Sequence, residues 1–208
     1  MTTSPLDYLV EGVCRAPFSL IVIAGPKKSF RTYTMLAIES AVSQMGRGRY
    51  FRIGDTPPED GSPVHFIETL ERSGNLEEAT DEEVLIAYNR FKEWEYNVLS
   101  EIFKPGPAGV FIDDLDQKPA GLSQDVISMA ETSLLTVVSV EADSMEEALR
   151  NLCGAAQIDS GPDSPLRKVL NSIVLLKPTI DPEFGHEIIE VEIAGLLGVM
   201  SINDFFTS

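Results

Sequence analysis

The sequence has little cysteine, little histidine, no long apolar run and half as many basic as acidic residues. Its cysteines, Cys14 and Cys153, have no metal-binding spacing, so we expect buried thiols in a reducing compartment. Its histidines, His65 and His186, have no partner pattern, and we expect structural roles for them. No apolar stretch approaches the roughly 20 residues of a membrane span. The N-terminus also lacks the basic and apolar regions of a signal peptide. These absences predict a cytoplasmic protein without a membrane-inserted segment.

The charge of the chain is strongly negative and unevenly distributed. The 208 residues carry 16 Lys and Arg against 33 Asp and Glu, a net charge of −17. Residues 1–53 hold seven of the bases and three of the acids, a net of +4, which leaves −21 for the remainder. A surface of this kind repels a phosphate polymer, so we expect no nucleic-acid binding. It suits a basic protein partner, or it serves solubility alone.

The first apolar strand pattern, Ser19–Ala24, leads into a segment with the layout of a phosphate-binding loop. That motif reads G-x-x-x-x-G-K-[ST], and its backbone N–H groups surround the phosphates while the lysine reaches their β and γ oxygens. Here Gly25 is kept, but Phe30 stands at the second glycine, Arg31 at the lysine and Thr32 at the Ser/Thr position. The motif is therefore degenerate.

The substitutions predict weak or absent nucleotide binding. Phe30 would need a left-handed conformation, which costs roughly 1–2 kcal/mol, and its ring would fill space that a phosphate needs. Arg31 is planar and larger than lysine, so it is a poor replacement. Losing about three charged hydrogen bonds would weaken ATP binding by roughly 10³–10⁶-fold. Any nucleotide that binds would contact Lys28, Ser29, Arg31 and Thr32. Otherwise Lys27, Lys28 and Arg31 attract another anion beside the helix N-terminus, or form a solvated turn.

The rest of the chain alternates buried strand patterns with amphipathic helix patterns. This order predicts an α/β fold with a mostly parallel sheet covered by helices. The further predicted strands are Arg49–Ile53, Gly109–Ile112, Ser133–Val140, Val169–Leu176 and Glu187–Ile193. The predicted helices are Arg31–Gln44, Thr80–Phe103, Leu122–Ala130 and Ser144–Leu152, of which the second and fourth open with capping-box patterns. In the long helix we expect buried positions at Leu85, Tyr88, Phe91, Trp94, Tyr96, Leu99 and Phe103.

A second motif lies at the end of the strand Gly109–Ile112. In P-loop enzymes a strand of this type carries an acidic residue that holds Mg²⁺ or orients a water molecule. Asp113 and Asp114 occupy this place, and Asp114 is our candidate catalytic residue. The alternative is that it caps or solvates a loop, just as Thr32 could simply satisfy backbone groups. We expect no resident metal site.

The order of motifs resembles that of the ATPases that power type II and type IV secretion, type IV pili and pilus retraction. Ala130-Glu131-Thr132 precedes a strand, and Ala148-Leu149-Arg150-Asn151-Leu152 follows it, as in that superfamily. The resemblance covers about residues 17–200 and implies a RecA-like C-terminal domain that assembles into rings. It implies one domain over 1–208, with 1–16 as an extension and without the separate N-terminal domain of the family.

The departures from this family fall on its chemistry. Asp113-Asp114 stand where the family has Gly-Glu, Leu134 and Glu141 where it has two histidines, and Gly54 where it has a glutamate, next to Asp55. The resemblance therefore implies a pseudo-ATPase that needs no cofactor and binds protein subunits of a secretion, conjugation or pilus machine. Such subunits include an intact homologous ATPase or further copies of this chain. The alternative is a divergent ATPase that uses ATP and Mg²⁺, with Arg31 and Asp114 as replacements.

Overall fold

The computed structural model describes residues 10–13, 19–55, 57, 62, 64–68, 80–104, 106–118, 120–132, 134–159, 163–182, 185 and 187–195. Within them, seven strands form one sheet in the order β3-β2-β4-β5-β1-β6-β7. Neighbouring strands pair in parallel except β6 and β7, which are antiparallel. The strands are β1 (Ser19–Gly25), β2 (Arg49–Gly54), β3 (His65–Glu68), β4 (Pro107–Ile112), β5 (Leu135–Glu141), β6 (Leu170–Ile180) and β7 (Glu187–Gly195). The predicted α/β class is confirmed.

Helices cover both faces of the sheet. They are α1 (Arg31–Ser43), α2 (Asp81–Ile102), α3 (Ala120–Glu131), α4 (Met145–Ala156) and the short α5 (Leu166–Val169), with a 3₁₀ turn at Leu115–Gln117. One core cluster joins α1 to one face, and the other joins α2, α3 and α4 to the opposite face. β1 supplies both clusters in alternation, with Ile21 and Ile23 toward α1 and Leu20 and Val22 toward the other side. A strand buried on both faces reads as the continuous apolar run seen in the sequence.

Both predicted helix caps are present. Thr80 and Glu83 form a complete capping box at the start of α2. Ser144 accepts a hydrogen bond from the Glu147 N–H at the start of α4, but the Glu147 carboxylate accepts from the N–H of Asp143 rather than that of Ser144. Each cap satisfies backbone donors that the first helical turn leaves without a partner.

The predicted buried face of α2 is wrong at four of its seven positions, whereas Trp94 and Leu99 pack against the core. Leu85, Tyr88, Tyr96 and Phe103 are exposed, and Phe91, Trp94 and Leu99 are half-buried. The helix instead buries Glu95, Val98 and Ile102 against the sheet. The sequence contains two apolar stripes at helical spacing, and the more aromatic one is not the stripe that faces the domain. All of residues 81–86 are exposed at the start of the helix.

Smaller findings concern one edge strand, the histidines, the cysteines and the question of a membrane span. β3 pairs with β2 as an edge strand that the sequence did not predict. Its His65 is exposed and stacks on Phe51 with 5.4 Å between ring centroids, consistent with a structural role. Cys153 is a buried free thiol, as expected. Cys14 and His186 lie outside the described residues. None of the described helices has the length and apolar character needed to cross a membrane.

Gly25 lies at the end of β1, where two neighbouring groups leave no room for a side chain. A Cβ atom built on it would lie 2.7 Å from the Leu176 carbonyl oxygen and closer still to Ser29 Oγ. We expect Gly25→Ala to lower the free energy of unfolding in urea by about 1–3 kcal/mol, because one of these neighbours must move. Gly154→Ala, in α4 with open space around it, should instead raise that free energy by up to about 1 kcal/mol. Equal effects of the two substitutions would contradict this packing.

Candidate functional site

The two motifs meet at the carboxyl edge of the sheet. β1 and β4 both run parallel to β5, which lies between them, so their carboxyl ends lie at the same edge. The loop after β1 and the Asp113–Asp114 pair after β4 therefore come together, at the kind of edge where open α/β sheets bind ligands. The loop, together with Asp114 and Gln117, lines a cavity of about 460 Å³.

The loop after β1 contains two residues with left-handed backbone conformations. Lys28 and Phe30 have φ angles of 68° and 64°, so both are left-handed. The conformation predicted for Phe30 is confirmed, and each such residue costs roughly 1–2 kcal/mol. The Phe30 ring lines the cavity, is 52% exposed and lies 5.7 Å from the Tyr33 ring. The surrounding fold holds this loop in a strained form that glycine would adopt freely.

Arg31 is the centre of the site. Its side chain is only 9% exposed and forms an ion pair with Asp114, with 2.8 Å between Nη2 and Oδ1. Its Nη1 donates to the carbonyl oxygen of Gly25. The guanidinium therefore joins the end of β1 to the end of β4, and Arg31 is no part of a solvated turn. Lys27 and Lys28, the other two cations of this loop, are exposed.

Asp114 is fixed from two directions. Its backbone is left-handed, with φ 45°, and its N–H donates to Ser139 Oγ on β5 at 2.8 Å. Its carboxylate accepts from Arg31. The candidate catalytic acid is thus already the partner of the side chain that replaces the loop lysine.

Asp113 has its own arginine. Arg52 on β2 is fully buried and donates from Nη2 to Asp113 Oδ2 at 2.8 Å. Thr32 Oγ1 donates to the other carboxylate oxygen at 3.4 Å. Burial raises the pKa of Asp113, and the hydrogen bond and charge of Arg52 oppose that rise. Gly54 lies beside this carboxylate, and a Cβ there would approach Asp113 Oδ2 to 2.9 Å. A glutamate at position 54, which the resemblance leads one to expect, would therefore crowd this carboxylate.

A buried carboxyl completes the cluster behind Asp113. Glu39 on α1 is 3% exposed, and its Oε2 lies 3.9 Å from Arg52 Nε. Burial raises the pKa of Glu39 to about 7, with a smaller contribution from Asp113 and an opposing one from Arg52. Glu39 Oε2 and Arg52 Nε and Nη1 have no hydrogen-bond partner. The cluster therefore contains one cation, Arg52, and two carboxyl groups, those of Asp113 and Glu39. The Glu39 carboxyl, with its pKa of about 7, is readily protonated.

Of the other positions compared with the family, Glu141 and Asp55 lie at the carboxyl edge of the sheet and Leu134 lies at the opposite end of β5. Glu141, at a histidine position of the family, lies 4.0 Å from the ammonium of Lys27. Leu134, at the other, is buried in the core. Asp55 is exposed and lies 3.7 Å from Lys118 Nζ. None of the described residues groups three His, Cys, Asp or Glu side chains in a way that could hold a metal ion.

The sequence analysis missed Arg52, Glu39 and Ser139. Arg52 stands inside the apolar strand Arg49–Gly54, where an arginine is rare unless it has a partner. Glu39 follows Ile38 within the buried stripe of α1, at helical spacing from Met35. Arg52 and Glu39 were each visible in the sequence as a polar residue in an apolar pattern. Only the folded structure, in which β2 lies beside β4, shows that these two residues lie near Asp113.

The comparisons with known proteins agree with this architecture. The sequence matches no protein-family model and no curated protein. Its structure is similar to the DotB ATPase of Legionella pneumophila, with TM-score 0.59 and 11% identity over 90% of this chain and 48% of DotB. It is similar to the VirB11 ATPase of the Brucella suis type IV secretion system, solved with sulphate, with TM-score 0.52 and 17% identity over 91% and 58%. It is also similar to the pilus retraction motor PilT with bound ADP, with TM-score 0.59 and 14% identity over 96% and 53%.

These similarities establish the fold. The chain has the RecA-like α/β fold that is seen in these secretion and pilus ATPases, at 11–17% identity. The resemblance drawn from the motifs is confirmed at that level. The chain spans about half the length of the solved proteins.

The groups that act on nucleotide and Mg²⁺ in P-loop enzymes are a loop lysine and an acid after a later strand, and in this chain the residues at these places are paired with other side chains. The loop lysine is replaced by an arginine that is already paired with Asp114. The carboxylate best placed for a cation, Asp113, already holds the buried cation of Arg52. A second, divalent cation beside Arg52 would meet charge repulsion in a region of low dielectric.

Glu39 predicts a specific dependence of stability on pH. The folded state binds the Glu39 proton more tightly than the unfolded chain, whose carboxyl has a pKa of 4.5. Stability from the neutral form is therefore present at low pH and lost as the pH rises through about 7, by up to about 3 kcal/mol. Glu39→Gln should reduce the fall in the free energy of unfolding between about pH 5 and pH 8, measured in urea.

The Glu39→Gln effect has a matched control. Glu82→Gln makes the same chemical change at an exposed position of α2 and should leave the fall unchanged. An equal slope in Glu39→Gln and in the unmodified protein would contradict the assignment.

Proposed function

We propose that this chain is a pseudo-ATPase, a RecA-like domain that does not hydrolyse ATP and acts by binding protein subunits of a bacterial secretion, conjugation or pilus machine. The observation that carries the proposal is the ion pair between Arg31 and Asp114. In an active P-loop enzyme the lysine reaches the phosphates and the acidic residue positions the attacking water. Here the two replacements neutralise each other.

The free energy of this pairing opposes nucleotide binding. To contact a γ-phosphate, Arg31 must leave both Asp114 and the Gly25 carbonyl. Each hydrogen bond to a charged group is worth about 1.5–3 kcal/mol. Asp114 would then remain, uncompensated, next to a triphosphate of the same charge. Both costs come in addition to the loss of the lysine itself.

The second candidate is a divergent ATPase. It is supported by the left-handed Lys28 and Phe30, which keep the shape of the loop, and by the cavity that the loop lines. The Ser29 hydroxyl adds to this support, since it is buried, lines the cavity and has no hydrogen-bond partner. DotB and VirB11 are ATPases and PilT binds ADP. Steady phosphate release that Asp114→Ala abolishes would favour this candidate.

Titration calorimetry with Mg-ATP decides between the two. We expect no saturable binding by the unmodified protein up to about 1 mM, since the affinity should be roughly 10³–10⁶-fold below that of an intact loop. The double substitution Phe30→Gly with Arg31→Lys restores the glycine and the lysine of the motif and removes the guanidinium that pairs with Asp114. It should therefore produce measurable binding of Mg-ATP.

The control for this titration is Arg47→Lys, which makes the same chemical change at an exposed turn before β2. It should bind no more nucleotide than the unmodified protein. Micromolar affinity of the unmodified protein for Mg-ATP would overturn the proposal.

The partner side of the proposal has its own test. We propose a cytoplasmic location and contact with an intact ATPase of the same machine, through an acidic surface that suits a basic partner. Added to that purified ATPase, the chain should change its rate of phosphate release at least about fivefold, the lower end of typical coupling between sites. An unrelated acidic protein should not. An unchanged rate at saturating chain would contradict a regulatory role.

A further inference from the structure

The cavity beside the loop after β1 is basic, although the chain as a whole is strongly acidic. Its lining contains three cations, Lys27, Lys28 and Arg31, and one carboxylate, Asp114, whereas the whole chain carries a net charge of −17. Arg31 is paired with Asp114, and the Lys27 ammonium lies 4.0 Å from the Glu141 carboxylate. Lys28 is exposed and forms no ion pair with any residue that the structure describes. Lys28 is therefore available to a ligand of negative charge.

Helix α1 begins at this cavity with backbone donors that the helix itself does not use. The first hydrogen bond of its ladder runs from the Thr34 N–H to the Phe30 carbonyl. The N–H groups of Arg31, Thr32 and Tyr33 therefore have no acceptor within the helix. Phe30 occupies the N-cap position and has no side-chain atom that could accept from them. These donors and the positive end of the helix dipole attract an anion.

A buried hydroxyl indicates a ligand independently of the helix end. Ser29 is only 1% exposed and lines the cavity, and within the described part of the chain its Oγ has no hydrogen-bond partner. A buried polar group without a partner is costly to the folded protein. A ligand oxygen that accepts from this hydroxyl would remove the cost, so the free energy of binding includes this gain.

The charges around the cavity favour a carboxylate over a triphosphate. A triphosphate carries several negative charges and would lie beside Asp114 without the lysine and the metal ion that offset such charges in P-loop enzymes. A carboxylate carries one charge and accepts hydrogen bonds on two oxygens. The Lys28 ammonium, the Ser29 hydroxyl and the first N–H groups of α1 are donors of the kind that bind a carboxylate through charge-assisted hydrogen bonds. Arg31 can stay on Asp114 while they do so.

Two exposed rings beside the cavity indicate that the ligand also has an apolar part. Phe30 and Tyr33 both line the cavity, and Tyr33 is 69% exposed, more than Phe30. Large apolar side chains that are exposed together mark interaction sites, and aromatic side chains are enriched in protein interfaces. In a protein ligand, the side chain next to an Asp or a Glu can pack on these rings while the carboxylate enters the cavity.

We propose that the cavity beside the loop after β1 binds an Asp or Glu side chain of a partner protein, with the neighbouring apolar side chain of that partner on Phe30 and Tyr33. The inference rests on the proposed function, because it assigns protein binding to the place where an active ATPase holds nucleotide. It identifies the partner segment as acidic and apolar. A short peptide makes only this contact, so we expect a dissociation constant of about 0.1–1 mM.

A peptide titration followed by amide NMR shifts tests the site. The probe is the peptide Gly-Phe-Asp-Phe-Gly with both ends blocked, added to the full chain without nucleotide. The N–H signals of residues 28–33 should shift saturably. The same peptide with Asn in place of Asp keeps the shape without the charge and should bind at least about tenfold more weakly. Acetate offers the carboxylate without an apolar neighbour and should also bind at least about tenfold more weakly.

Substitutions in the chain locate the binding. Lys28→Gln and Ser29→Ala each remove one donor and should each raise the dissociation constant of the Asp peptide at least about fivefold. The matched control is Lys168→Gln, which removes the same charge from an exposed position just before β6, at the opposite edge of the sheet. It should leave the dissociation constant unchanged. Circular dichroism checks that all three variants fold.

Four results would overturn the inference. They are the absence of saturable shifts up to about 5 mM peptide, equal affinity for the Asp and Asn peptides, affinity for acetate equal to that for the Asp peptide, and equal effects of Lys28→Gln and Lys168→Gln. Because the titration contains no nucleotide, its failure leaves the calorimetric result with Mg-ATP unchanged. Micromolar binding of Mg-ATP would instead overturn the pseudo-ATPase proposal, whatever the peptide does.

Discussion

Arg31 and Asp114 form the ion pair on which the rest of the site depends. The pair links the loop after β1 to the end of β4 across β5, and Arg31 also donates to the Gly25 carbonyl at the base of the loop. The Arg31 side chain thus stands at the position of the phosphate-binding lysine and forms an ion pair with the nearby acid, Asp114. Arg52 does the same for Asp113 from the buried side. Each acid at the end of β4 therefore has an arginine, and the charges that an ATPase directs at nucleotide and metal are directed here at each other.

The fold around this site is intact, although the motif residues that would act on a nucleotide are replaced. The loop still holds Lys28 and Phe30 in left-handed conformations at a cost of roughly 1–2 kcal/mol each. Strain of this size persists only where the surrounding structure enforces it. The parallel strands and the helix after the loop enforce it here, because they form the RecA-like core shared with DotB, VirB11 and PilT. The shape of the domain and the pairing of its charges are therefore separate features of this chain, and the proposal of a pseudo-ATPase rests on the second.

The sequence predicted the sheet and the loop well, because buried parallel strands and a left-handed Phe30 are consequences of local pattern. It failed on α2, where two apolar stripes share one helix and only the sheet decides which one is buried. Tyr96 and Phe103 were expected in the core but are exposed, Trp94 packs against the core partly buried, and Glu95 is buried although no prediction named it. It also named Arg31 and Asp114 separately without predicting their contact. That contact, like the one between Arg52 and Asp113, depends on strand order, which brings together residues far apart in the chain.

A crystal structure of this protein grown with Mg²⁺ and a non-hydrolysable ATP analogue tests the central claim most directly. We expect Arg31 to remain on Asp114 and on the Gly25 carbonyl, with no triphosphate in the loop. A triphosphate held by the backbone amides of residues 27–32 beside a Mg²⁺ ion, with Arg31 turned away from Asp114, would contradict it.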